Sequence, residues 1–156
     1  MTLLDFSTIF RDLHPMVIHF PIALLVVSVF LDILGRFRAE NAGLKHASYI
    51  LLLLGSLAAI VAVITGDIAL LAVGGEQSPI GKLVAQHESI AVPTTLVFVG
   101  IAIWRLINQR KGKDISSSNL FLALELVGVV GLLLTGLAGG NLVFTYGIGV
   151  EGMKIP

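Results

Sequence analysis

The stretch from His46 to Val73, HASYILLLLGSLAAIVAVITGDIALLAV, carries one formally charged residue, Asp67, in 28 positions. A helix that crosses the hydrocarbon core of a bilayer needs about 20 mainly apolar residues. This stretch meets that length. It does not alternate polar with apolar residues, as a strand of a membrane β-barrel would. Three more stretches qualify, from about Pro15 to Gly35, from about Ala85 to Leu106 and from about Asn119 to Phe144. The links between them are short: Arg36 to Lys45, Gly74 to Val84 and Ile107 to Ser118. Short links favour antiparallel neighbours. The fold expected is all-α, an integral-membrane four-helix up-down bundle, with residues 1–156 forming one domain and no internal repeat of useful strength.

Composition agrees. The net charge is zero, 56 % of residues are apolar and only 13 % are charged. An average soluble domain has about 25 % charged residues, so this chain has too few to cover a soluble globule. No basic surplus exists to meet phosphates, which argues against nucleic acid as a partner. The absence of cysteine excludes a disulfide frame, a thiolate metal site, an iron–sulfur cluster and covalently attached haem.

Cations set the expected orientation. Arg36, Arg38, Lys45, Arg110, Lys111 and Lys113 lie on the first and third links, with Arg105 at the edge, whereas the opposite side holds Arg11, Lys82 and Lys154. Seven against three places the first and third links in the cytoplasm and both termini outside, in the periplasm if the bilayer is the cell inner membrane. Leu3, Phe6, Phe10 and Leu13 recur at helical spacing among Asp5, Arg11 and Asp12, which predicts a short N-terminal interfacial helix. A cleaved signal peptide is not expected, because the first apolar run lacks a basic leader and ends in Gly35-Arg36-Phe37-Arg38.

An ionisable group inside a bilayer costs about 2.5–3.5 kcal/mol on insertion scales, so each one asks for a reason. All four histidines lie in or at the ends of spans, as do Asp32, Asp67, Glu88 and Glu125. By depth, His14, His19, Asp67, His87 and Glu88 converge on the outer half, while Asp32, His46 and Glu125 form a looser inner group. In His14-Pro-Met-Val-Ile-His19-Phe-Pro21, Pro15 suits a first helical turn. Pro21 removes the bond to the Val17 carbonyl and should loosen that turn. The two histidines are five apart and differ in direction by about 140° on a regular helix. Gly128, Thr135, Gly136 and Gly139 make a small-residue stripe on the face of Glu125. Such a stripe serves close helix packing or a flat slot for a planar cofactor.

The opening His14-Pro-Met-Val-Ile-His19-Phe-Pro21 resembles that of the uncharacterised bacterial membrane proteins called domain of unknown function 2231. Asp32, Thr65-Gly66-Asp67, His87, Gly139-Gly140-Asn141-Leu142-Val143-Phe144 and Tyr146-Gly147-Ile148-Gly149-Val150 extend the resemblance over most of the chain. The resemblance implies a compact four-span module. It also implies an association with cytochrome and Rieske-type electron carriers, to which related modules are joined or beside which they are encoded.

The function expected is a membrane electron-transfer module holding one b-type haem in the outer half. His19 and His87 are the expected axial ligands, on different spans at similar depth. His14 is expected to assist or bind a propionate, Asp67 or Glu88 to hold the far nitrogen of a ligating ring, and Gly136 and Gly139 to line the slot. Quinol and cytochrome or Rieske-type subunits are the partners this implies, within the lipid bilayer, with a homo-oligomer or a larger complex as the assembly. Two alternatives stand: a bare transition-metal ion on His14, His19, His87 and Asp67, and a structural anchor or assembly subunit of a redox complex. No nucleophile elbow, phosphate loop or dinucleotide fingerprint is present, so a self-contained enzyme is not expected.

Overall fold

The computed structural model describes residues 13–38, 41–72 and 75–148. The expected interfacial helix lies outside these, apart from Leu13. Four helices follow in order: α1 (His19–Phe37), α2 (Ala42–Ala72), α3 (Pro79–Arg110) and α4 (Asn119–Phe144). A helical turn at 13–17 precedes α1 and is interrupted at Ile18. That break lies beside the Val17 carbonyl that Pro21 leaves without its N–H. All four helices are long and apolar enough to cross a membrane, and no strand occurs among the described residues.

The helices α2 and α3 start earlier than hydropathy alone suggests, and α4 starts at Asn119 as expected; polar residues cap all three. Asn41 Oδ1 accepts from Leu44 N at 3.2 Å ahead of α2. Ser78 Oγ accepts from Gly81 N at 3.0 Å, with Pro79 behind it as first helical residue. Ser118 Oγ accepts from Phe121 N at 3.4 Å. Gly81 has a second reason to be glycine: a methyl there would collide with the Gly75 carbonyl and the Glu76 backbone.

Each helix packs on its chain neighbours and α4 closes back on α1, the most sparsely packed of the four seams. The helices α1 and α3 therefore face one another across the diagonal. The core contains Leu25, Val29, Leu52, Ala59, Phe98, Ile101, Ala102 and Phe121.

Burial reveals an internal repeat that residue identity conceals. On α1 the buried positions include Pro21, Leu25, Ser28, Val29 and Asp32. On α3 they include Thr94, Phe98, Ile101, Ala102 and Arg105. Each of these lies 73 residues after its counterpart, the separation of Asp32 from Arg105. On α2, Ser48, Leu52 and Gly55 are buried, and Phe121, Glu125 and Gly128 take their places on α4. A methyl at Gly55 would stand 2.7 Å from the Leu25 side chain, and one at Gly128 2.6 Å from the Phe98 ring. The hairpins α1–α2 and α3–α4 thus follow one plan. Among these eight pairs only the glycines keep their residue type, which is why the sequence does not advertise the repeat.

Candidate functional site

The repeat extends to the histidines. His14 and His87 are 73 residues apart, like Asp32 and Arg105, and both are half-buried. Each ring lies over a glycine of its own hairpin. A methyl at Gly66 would stand 3.1 Å from His14 Cε1, and one at Gly139 3.3 Å from His87 Cε1. Only glycine at these positions lets an imidazole approach the backbone so closely.

His14 Nδ1 lies 3.0 Å from the Ala62 carbonyl and 3.3 Å from Thr65 Oγ1. The carbonyl can only accept, so His14 Nδ1 carries the hydrogen and Nε2 keeps its lone pair. The hydroxyl of Thr65 is itself turned to the Val61 and Ala62 carbonyls. In the second hairpin the carbonyl near the His87 ring belongs to Thr135, the counterpart of Ala62. Here hydrogen-bond geometry is not reached, and His87 Nδ1 is buried with no partner among the described residues. The two rings are close enough for their charges to interact. Two half-buried imidazoles, one from the turn ahead of α1 and one from α3, thus lie at the same end of the bundle within electrostatic range of each other.

The other expected residues are placed differently. His19 is exposed, because five residues turn it away from the face of His14. His14, in the turn ahead of α1, is half-buried and within electrostatic range of His87, whereas the expected partner His19 lies on an exposed face. Asp67 is exposed within electrostatic range of His14. Glu88 lines an open groove of about 670 Å³ together with Glu76, Lys82 and Pro93. Gly136 is exposed with no heavy atom near a Cβ position. It lies about 80° round the helix from Gly128, so the two glycines do not share one packing contact. At Gly128 the small residue serves packing, against Phe98. Among the described residues no group of three or more His, Cys, Asp or Glu is placed to hold a metal ion.

The opposite end holds a polar cluster whose centre the sequence placed at the edge. Arg105 is 2 % exposed and grips Asp32 through two bonds, 2.6 Å to Oδ2 and 3.1 Å to Oδ1. It also donates to the Lys45 carbonyl at 3.0 Å and to Ser48 Oγ at 2.9 Å. Ser48 Oγ donates onward to Asp32 Oδ1 at 2.6 Å. The guanidinium lies 5.7 Å from the Tyr49 ring centre and 5.4 Å from that of Phe121, within cation–π range. Nearby, Arg36 binds the Ser116 carbonyl at 3.2 Å, the Ser118 carbonyl and Asn119 Oδ1 at 3.0 Å, tying α1 to the start of α4. Lys45, in the first turn of α2, pairs with Asp114 of the α3–α4 link at 2.9 Å. Burial pushes the Asp114 carboxyl up, but hydrogen bonds from Lys45 and Ser116 override it and hold it at about 2. His46 is exposed.

A family model described as a predicted membrane protein (DUF2231) matches residues 11–152. The chain belongs to this family. No curated protein and no solved structure matches it. In this DUF2231 chain the matched region contains every described residue, so both polar ends belong to the family module. Asp32 offered a signal for Arg105: a carboxylate deep in an apolar span demands a cation at its own depth. Arg105, within α3 and ahead of the basic run at 110–113, is that cation.

Proposed function

We propose that the chain is a membrane electron-transfer module in which His14 and His87 are the two axial ligands of one b-type haem. The observation that carries this reading is the pair itself: two imidazoles from diagonal helices at equivalent places of two like hairpins. The residues suit the group in three ways. His14 Nδ1 is held against the Ala62 carbonyl, which leaves Nε2 to ligate, and such a bond raises the basicity of a ligating ring. His87 has a buried nitrogen without a partner. Finally, two ligands are the right number. A bare zinc site takes three or four protein ligands, whereas porphyrin supplies the iron's other four donors.

Haem held there would carry single electrons between quinol in the membrane and a cytochrome or Rieske-type acceptor. In the inner membrane, with the first and third links cytoplasmic, the histidine end faces the periplasm, as do both termini.

The test is an absorption spectrum of protein purified in detergent from cells supplied with haem. A Soret band is expected, lost in His14→Ala and in His87→Ala and kept in His19→Ala. A colourless protein would overturn the haem, and elemental analysis would then separate a bare ion from none. One observation favours a structural second reading. The Ala62 carbonyl already satisfies His14, as in a histidine that only ties helices together. On that reading the protein is a colourless anchor subunit that co-purifies with redox partners.

A further inference from the structure

Glu125 is the most deeply set acid of the bundle, fully buried at 0 % exposure. Neither of its oxygens has a hydrogen-bond partner among the described residues. The polar groups around it come from three helices. From α1 come Asp32 and Arg36, and from α3 comes Arg105. On α2, Lys45 turns its carbonyl to Arg105 and its amine to Asp114, Ser48 donates to Asp32, and Tyr49 lies against the guanidinium. None of these donors makes a hydrogen bond to Glu125; the Nε–H groups of Arg36 and Arg105 are buried without a partner as well, so neither reaches its carboxyl. Arg105 gives both terminal nitrogens to Asp32, Ser48 and Lys45, and those of Arg36 go to Ser116, Ser118 and Asn119. The group set against Glu125 is the Asp32 carboxylate; both are acceptors when ionised, so no hydrogen bond joins them in that form.

Two acceptors in contact, shielded from water, are stable only if one of them bears hydrogen. The choice between them is decided by Arg105. Its bidentate grip fixes the negative charge on Asp32, which leaves the hydrogen on Glu125. An ionised Glu125 would add a second buried negative charge with no hydrogen bond to it, the full desolvation penalty uncompensated.

The repeat shows that packing does not require an acid here. The counterpart of Glu125 in the first hairpin is Leu52, also 0 % exposed. A leucine fills that position, so the carboxyl is not there to fill space.

We propose that Glu125 and Asp32 form an intramembrane carboxyl pair that binds one proton, carried by Glu125 and donated to the Asp32 carboxylate, beside the counter-charge of Arg105. The pair is a proton site independent of any cofactor at the histidine end.

Infrared spectroscopy of the whole protein in lipid vesicles at neutral pH tests this, with far-ultraviolet circular dichroism as the check on folding. The expected result is a carbonyl stretch of a protonated carboxylic acid that shifts in heavy water. It should vanish in Glu125→Gln, whose amide can still donate to Asp32 and which should keep its helix content. In Asp32→Asn the released guanidinium should draw Glu125 into its charged form, so the band should vanish there too. A wild-type spectrum without the band would overturn the proposal, since Glu125 would then be ionised and bridged to Arg36 and Arg105. A band untouched by Glu125→Gln, or one that persists in folded Asp32→Asn, would overturn it equally.

Discussion

At the scale of single residues, the bundle places its charges by completeness of partnership. The Asp32–Arg105 pair is almost wholly buried, with side chains 0 % and 3 % exposed. Such a pair gains little over a well-packed apolar pair, but breaking one side leaves an uncompensated buried charge. Replacing Arg105 by Leu should therefore lower stability by about 3–5 kcal/mol, read as the denaturation midpoint in detergent. Asp32→Asn with Arg105→Leu should recover part of that loss, because no lone charge remains. Lys45–Asp114 behaves differently, since it is partly open to water and its contribution at neutral pH is modest. Its value lies in pH dependence. Asp114 holds its carboxyl at about 2, below its ordinary 3.8. A depressed carboxyl stabilises above its unfolded value and loses that contribution as pH falls through the folded one. The clip between α2 and the α3–α4 link should thus release between about pH 4 and pH 2. Melting temperature should fall over that window in the native chain and fall less in Asp114→Asn.

At the scale of elements, apolar length made the four spans legible, while the starts of α2 and α3 were hidden in short polar signals. Asn41 and Ser78-Pro79 each announce a helix start through a side-chain cap that hydropathy does not register. Likewise the small-residue stripe of α4 could not be divided by spacing alone, because the neighbour sets the role of each glycine. Phe98 crowds Gly128, Thr94 crowds Gly131, His87 lies over Gly139, and Gly136 faces open space. This difference yields a paired prediction. In Gly128→Ala the new methyl meets the fully buried Phe98 ring at 2.6 Å, an overpacking that typically costs about 1–3 kcal/mol. Alanine at position 136 meets nothing within 4 Å and gains up to about 1 kcal/mol of helix propensity. Thermal unfolding in detergent should therefore show Gly128→Ala melting below the native protein and Gly136→Ala at or above it. Equal shifts would mean that the stripe does not pack as described.

At the scale of the whole molecule, one register organises both ends. His14 and Asp32 are 18 residues apart, as are His87 and Arg105. Eighteen residues make five helical turns, about 27 Å, so each helix presents its histidine and its charge on one face. Because α1 and α3 run in the same direction, the shared offset of 73 brings both pairs level across the diagonal. The positions were readable, but the pairing was not, since it depends on which helices oppose one another. Orientation follows from the same geometry with one revision. Arg105 is withdrawn into the bundle, so the count of cations near the first and third links becomes six: Arg36, Arg38, Lys45, Arg110, Lys111 and Lys113. Arg11, Lys82 and Lys154 still make three on the other side. The excess survives, so the expectation that those links face the cytoplasm is unchanged. The chain has no cysteine, so single cysteines report topology without background. Gln77 and Lys113 are exposed in links at opposite ends of α3. In intact cells with a permeable outer layer, a membrane-impermeant maleimide should label Gln77→Cys and spare Lys113→Cys until the membrane is opened. The reverse pattern would turn the histidine end to the cytoplasm. The electron acceptor proposed for His14 and His87 would then have to be sought on that side, and the proposed Glu125–Asp32 pair would lie nearer the outside.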